Sequence, residues 1–268
     1  MGRMHLFEFE DQTWFPKLFR DFTTDFLRYA AQNQKQELHE KIASILNSGL
    51  KKSGTDYLVD MASGGGGMLV SLNTLLLKKH PSLKILLTDF YPNLEAFKMS
   101  RRSALNLDFI GRPIDAREVP PSLKGLRTQF LSFHHFKPKD AQRILQNAVD
   151  SQSGIFIFED QDRSWSGILC ELYAPVKLLK SVPYIKPFKF SRLIFTYLIP
   201  IVPITLLWDG LVSCLRTYSL KELKSLISKV DPGETYEWEM GRFKYGARPV
   251  VYLLGTFPKE RYQTVDDR

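Results

Sequence analysis

The chain has 268 residues, a formal net charge of +8 and only two cysteines, Cys170 and Cys214. Its 44% hydrophobic content can supply a sizeable core, and cysteines outside any CxxC pattern argue against a disulfide framework or a structural zinc site. The positive balance fits an anionic partner or a solvated basic surface.

The first ten residues lack the apolar core of a signal peptide. Gly2 follows Met1, but Leu6 breaks the myristoylation pattern. A reducing, cytoplasmic setting is therefore the expectation. Residues 1–56 read as a helical N-terminal cap. Thr13 or Asp11 is placed to cap a helix opened by Pro16, since proline suits the first helical position. Leu18, Phe22, Phe26 and Tyr29 form one apolar stripe at helical spacing, and Leu38, Ile42, Ile45 and Leu46 form a second. Trp14-Phe15-Pro16 is expected on the core.

From Tyr57 the pattern alternates strand and helix, which implies a parallel sheet covered on both faces. Strands are expected at 57–61, 83–88, about 107–111, about 126–133 and 155–159. Helices are expected at 68–80, near 93–106 and at 139–150. Between the first strand and its helix stands Asp60-Met-Ala-Ser-Gly-Gly-Gly-Gly67. Glycine lets a ligand approach the backbone closely, and the helix start behind it offers free N–H groups and a positive dipole end. That order reads strand, tight loop, helix, and suggests a nucleotide-type cradle; a merely flexible turn is the plain alternative.

Residues 165–217 break the alternation and read as a helical, apolar insertion. A helix at 165–179 carries Pro175 as a kink or break. The run 193–208 has no charge. As a helix it would span about 24 Å at 1.5 Å per residue, short of a ~30 Å hydrocarbon core, and Pro200 and Pro203 interrupt it. A transmembrane span is therefore not expected. Lys177, Lys180, Lys186, Lys189 and Arg192 precede it, so docking on an anionic membrane is an alternative to a buried lid. Asp209 and Arg216, seven residues apart, share a helix face and are placed either to pair or to point at substrate. Ser219 and Glu222 have capping-box spacing for the next helix. Asp231-Pro-Gly233 reads as a turn, 236–240 and 249–256 as a closing antiparallel hairpin, and the charged tail from Pro258 as frayed.

This arrangement resembles the class I S-adenosylmethionine-dependent methyltransferases, over about residues 55–160 and 218–257. The resemblance implies a doubly wound, mostly parallel seven-stranded α/β sheet with a closing hairpin. It implies S-adenosylmethionine bound by a core of residues 57–164 and 218–257; the insertion at 165–217, outside the resemblance, reads from its own residues as a substrate lid. Asp60, Ala62, Ser63, Gly64, Gly65 and Gly66 correspond to that family's first motif, with Ala62 where the first glycine usually stands. Asp89, followed by Phe90, corresponds to the acid that holds the ribose hydroxyls; a carboxylate suits a vicinal diol because it accepts two hydrogen bonds. Asp115-Ala116 corresponds to the pair beside the adenine. The stretch from Phe130 through Ser132 to Phe136 corresponds to the segment beneath the transferred methyl group.

Histidine's ordinary pKa near 6.5 makes His134 and His135 candidate bases, and only one of them can face the cleft from an alternating strand end. The alternative is that both are structural. Glu159 and Asp160 are placed either at the cleft or in a solvated loop. Phe195, Tyr197, Leu198, Trp208 and Arg216 are the candidate substrate-binding residues, enclosing a small, largely apolar acceptor. No metal-ligand spacing is evident. A dinucleotide fold is the runner-up, but Leu69 stands where its third glycine would be. A methyltransferase-like protein without turnover, binding a partner or a membrane surface, is the non-enzymatic alternative. Ser-Phe-His-His replaces a base-flipping segment after strand 4, which argues against a nucleic-acid substrate.

Overall fold

A computed structural model describes residues 2–231 and 236–257. The expected turn at 231–233 and the tail from Pro258 lie wholly or largely outside the described residues. The expected alternation is present. β1 (Tyr57–Asp60), β2 (Lys84–Leu87), β3 (Leu107–Phe109), β4 (Leu126–Phe130) and β5 (Ile155–Glu159) are joined to β6 (Glu237–Tyr245) and β7 (Arg248–Thr256) in one seven-stranded sheet. Its order is β3-β2-β1-β4-β5-β7-β6. The first five strands are parallel, and β7 runs antiparallel between β5 and β6. Strand order therefore reverses between β1 and β4, and a cleft opens there beyond the carboxyl ends of the strands.

On one face, α2 (Gln36–Ser53) and α3 (Gly67–Leu77) bury Leu38, Ile42, Leu46, Leu69 and Leu72 against Leu58, Phe156 and Leu254. α4 (Leu94–Ser103) joins the same cluster through Phe97. On the other face, α5 (Pro138–Asp150) and α10 (Leu220–Ile227) bury Ile144, Leu145 and Leu223 against Ile157 and Leu253. Proline opens α5, where a missing N–H costs nothing, and the Ser219/Glu222 capping box opens α10.

The insertion contains α6 (Trp165–Leu172), α7 (Ala174–Ser181), α8 (Phe190–Leu193), which runs on as a π-helical turn (Ile194–Leu198), and α9 (Ile201–Arg216). Pro175 breaks the expected long helix into α6 and α7, as a proline within a helix should. A third apolar cluster ties the insertion to α1 (Lys17–Gln32) through Phe22, Phe26, Leu178, Val202 and Leu206. Among the described residues no single helix is long and apolar enough to cross a membrane; Phe190–Leu198 and Ile201–Arg216 pass by composition only as a pair, bent by 74°.

Three local readings are corrected. Pro16 is itself the N-cap of α1, with no side-chain cap; Asp11 closes a 3-10 turn five residues earlier and bonds His135 and Arg216. Trp14 is 65% exposed while Phe15 is buried, so only the second aromatic packs on the core. β4 ends at Phe130, three residues early, because Leu131 takes φ 51° and turns the chain into a 3-10 turn at Phe133–His135.

Candidate active site

Two cavities of about 430 Å³ each lie beyond the strand ends. The first holds most of the expected cofactor residues: Ala62, Ser63, Gly64, Gly65, Asp89, Phe90, Asp115, Ala116 and Ser132 line it. Asp60 and Gly66 do not. Asp60 lies beneath the loop, 3% exposed, accepting a 2.6 Å hydrogen bond from Thr128 Oγ1. Burial pushes its carboxyl from 3.8 up to about 7. Ala62 sits at φ 51°, a left-handed conformation that explains a preference for glycine at this place. Gly67 answers to packing instead: a Cβ there would lie 2.7 Å from the Arg28 backbone of α1. Part of the glycine run thus seats the N-terminal cap.

Asp89 is held by the loop it faces. Gly64 N donates to its Oδ2 and Tyr91 N to its Oδ1, both at 2.7 Å. Burial raises its pKa, and these amides work against the rise. Each carboxylate oxygen has a lone pair left for a ligand. Asp115 lines the cavity too, but both its oxygens bond Arg117, which with a hydrogen bond from the Arg117 amide outweighs burial and lowers its pKa. Ser132 Oγ, on a residue 7% exposed, has no hydrogen-bond partner on this wall. Arg28, 6% exposed, likewise leaves Nε unpartnered while Nη2 bonds the Lys186 carbonyl and lies 3.5 Å from Asp25 Oδ1.

The second cavity is built by three parts of the chain: the arm before α1, the turn after β4, and the insertion. The arm contributes Glu8 and Glu10, the turn His134 and His135, and the insertion Glu171, Lys177, Asp209 and Ser213. Asp160 also lines it, paired with Arg248 at 3.1 Å. Asp209 binds the arm by accepting Phe9 N at 2.8 Å and Glu10 N at 3.2 Å. Burial, with repulsion from Glu10 and Glu8, pushes Asp209 from 3.8 up to about 8. Burial also raises Glu10, against the hydrogen bond that Thr23 Oγ1 donates to it.

The two histidines occupy different surroundings. His134 is 2% exposed, and its Nδ1 lies 2.9 Å from Glu159 Oε2. His135 Nδ1 lies 2.8 Å from Asp11 Oδ1 and 3.1 Å from Glu8 Oε2. Burial opposes charge on His135, but attraction to Glu8 and Asp11 prevails and lifts it from 6.5 to about 10. At neutral pH His135 is therefore a cation and not the free base that its ordinary pKa suggests.

The expected substrate residues line neither cavity. Phe195 is half-buried against Phe19, with ring centroids 5.0 Å apart. Tyr197 and Leu198 are exposed, the Tyr197 hydroxyl donating to the Leu179 carbonyl. The Trp208 indole donates to the Phe7 carbonyl at 2.9 Å. Arg216 is 2% exposed and bonds Asp11 at 2.6 Å, the Leu6 carbonyl at 2.7 Å and Glu8 at 3.2 Å. Arg216 and Asp209 thus clamp the arm and do not pair with each other. The insertion lines part of the second cavity through α6, α7 and α9.

Neither the protein-family models nor the curated proteins match this sequence. Solved structures do resemble it. An O-methyltransferase family protein from Burkholderia thailandensis is 12% identical, with a TM-score of 0.47, over 86% of this chain and 59% of that one. Mitomycin 7-O-methyltransferase is 18% identical, with a TM-score of 0.46, over 82% and 54%. An O-methyltransferase from neocarzinostatin biosynthesis, solved with S-adenosylmethionine and 2-hydroxy-5-methyl naphthoic acid, is 12% identical, with a TM-score of 0.46, over 81% and 56%. The chain spans between half and two thirds of the length of each. The seven-stranded, mostly parallel sheet with its closing hairpin is the architecture that the resemblance to the class I methyltransferases implies.

Proposed function

We propose that this protein transfers a methyl group from S-adenosylmethionine to a hydroxyl oxygen of a small molecule. One observation carries the reading. The two cavities meet at a shared wall of Glu10, Leu27, Ala31, Met68, Leu131 and His135, whose only titratable side chains are Glu10 and His135. The first cavity suits the cofactor by its donor set. Asp89 offers two oxygens to a diol, Arg28 a guanidinium to a carboxylate, and Ser132 an unpartnered hydroxyl. Bound S-adenosylmethionine supplies an electrophilic methyl group on a sulfonium; the protein supplies position and electrostatics.

The second cavity receives the acceptor. Phe26, Leu27, Leu131 and Leu206 offer an apolar surface for its body, and the carboxyls and histidines of the floor address a hydroxyl. His135, cationic at neutral pH, donates to the acceptor oxygen and fixes its direction. Glu10, made more basic by burial, takes the hydroxyl proton. The roof formed by α6, α7 and α9 excludes water from the shared wall. Glu10→Gln tests these roles. Release of S-adenosylhomocysteine, read across a panel of small phenols and alcohols, should fall at least a hundredfold while cofactor affinity stays within twofold. Equal turnover in the variant would remove Glu10 from the reaction.

We also propose a peripheral contact with anionic lipid. Trp165, Leu169, Leu172, Tyr173 and Val176 are exposed at helical spacing along α6 and α7, beside the exposed Lys177 and Lys180. Such a face pairs apolar insertion with attraction to anionic headgroups. Sedimentation with phosphatidylglycerol vesicles should carry the protein down, and Trp165→Ser with Leu169→Ser should leave it in the supernatant. Wild-type protein that stays in the supernatant would discard the contact.

A further inference from the structure

The floor of the acceptor cavity holds a donor set that methyl transfer alone does not require. Glu8 is 1% exposed and His134 2% exposed. Glu159 Oε1 accepts from the His134 backbone N–H at 3.0 Å, and the ring Nδ1 lies 2.9 Å from Glu159 Oε2 and 3.1 Å from Gln161 Nε2. Both contacts fall on Nδ1 and hold the ring, which leaves Nε2 without a partner. Nε2 has no hydrogen-bond partner, is buried, and lies 3.9 Å from Glu8 Oε1. The gap is too wide for a hydrogen bond and suited to an ion between the two atoms; Glu8 Oε1 also takes Arg216 Nη1 and Ser213 Oγ, each at 3.2 Å, which hold the carboxylate in place. On the other side of Glu8, His135 Nδ1 stands 3.1 Å from Oε2.

One ligand atom from each of Glu8, His134 and His135 lies within 4.8 Å of the others. Bonds of about 2.0–2.2 Å to nitrogen and oxygen place ligand atoms about 3–4 Å apart, so modest closure completes the set. The Glu159–His134 pair has the carboxylate–histidine arrangement that orients a metal-binding imidazole. All three side chains line the acceptor cavity, so the remaining coordination positions open toward it.

We propose that Glu8, His134 and His135 bind one first-row transition-metal dication, of the zinc, cobalt or manganese class. Two imidazoles and one carboxylate select such an ion over magnesium or calcium, which take oxygen ligands. Coordination by His135 releases its Nδ1 proton to solvent, and Asp11 keeps its bond to Arg216. An ion held there would polarise the acceptor hydroxyl. That role rests on the methyl-transfer reading; binding of the ion does not.

The test uses untagged full-length protein, stripped with a chelator and titrated separately with Zn2+ and Co2+. Zn2+ is followed by competition with a fluorescent chelator and Co2+ by its visible d–d absorption. One equivalent per chain at micromolar affinity or tighter is expected, with no displacement by millimolar Mg2+. Glu8→Gln and His134→Gln should each weaken binding at least tenfold. Glu159→Gln, a positioning change, should weaken it less and alter the Co2+ spectrum. Less than 0.1 equivalent bound to wild type overturns the proposal, and so does unchanged affinity in both ligand variants. S-adenosylmethionine is titrated into the same stripped protein. Metal binding without cofactor binding overturns the methyltransferase reading and keeps the site; cofactor binding without metal binding does the reverse.

Discussion

Asp60→Asn separates what the first strand end does for function from what it costs in stability. The wild-type carboxyl is 3% exposed and bonded to Thr128. Burial moves its pKa from 3.8 to about 7, a gap of about three units. At 1.36 kcal/mol per unit this is on the order of 4 kcal/mol. The sign follows from linkage. An acid with a raised folded pKa holds its proton more tightly when folded. Below pH 3.8 both states are protonated and the shift has no effect. Stability then falls as pH climbs toward about 7, and above that the loss is complete. Asparagine keeps the shape and a partner for Thr128 but carries no charge. The variant should exceed wild type by up to about 4 kcal/mol at pH 8.5, and by no more than about 1 kcal/mol at pH 4.5. At 2–4 °C per kcal/mol for a chain of this size, the first difference is roughly 8–16 °C in Tm. Guanidinium titrations of both proteins at the two pH values measure it. A difference that is the same at both would refute the reasoning. The variant should also bind S-adenosylmethionine more weakly, because the charge beneath the loop favours a cationic ligand.

Asp89→Ala should weaken cofactor binding by about 1.5–3 kcal/mol, the range for hydrogen bonds to a charged group, with the melting temperature kept; calorimetry reads it. Ala62→Gly should stabilise the protein by about 0.5–1 kcal/mol in thermal melts, since relief of the left-handed conformation exceeds the entropy that glycine adds. Phe195→Gln should destabilise by about 1–3 kcal/mol in chemical denaturation because it interrupts the packing on Phe19, whereas Leu198→Gln, at a side chain 77% exposed, should leave both Tm and acceptor turnover unchanged.

The sheet was readable because its signals are local. Apolar runs, glycines and caps repeat within a few residues, and Asp89 follows its strand directly. The second cavity was not readable, because its parts meet only through the fold. Glu8 reaches His134 across 126 positions of sequence, and Asp209 reaches the Phe9 amide across 200. No spacing rule connects such pairs. The glycine run misleads in one respect: Gly67 carries a contact with the Arg28 backbone, a packing need that looks the same in sequence as a ligand need. The charge-free run drew attention to Phe195, Tyr197 and Leu198, yet the side chains that face the cavity from the insertion are mainly polar ones, among them Glu171, Lys177, Asp209 and Ser213. Hydropathy marked the insertion and missed the face that it turns inward. His135 shows the same limit for charge, since its pKa depends on acids that sequence places far away or on another element.

The most direct measurement is a calorimetric titration of the purified protein with S-adenosylmethionine and, separately, with NADH. The glycine-loop cavity, with Asp89 and Ser132 on its wall, should take up one equivalent of S-adenosylmethionine at micromolar affinity and no NADH. Heat with NADH and none with S-adenosylmethionine would contradict the account and move the assignment to a dinucleotide-dependent oxidoreductase.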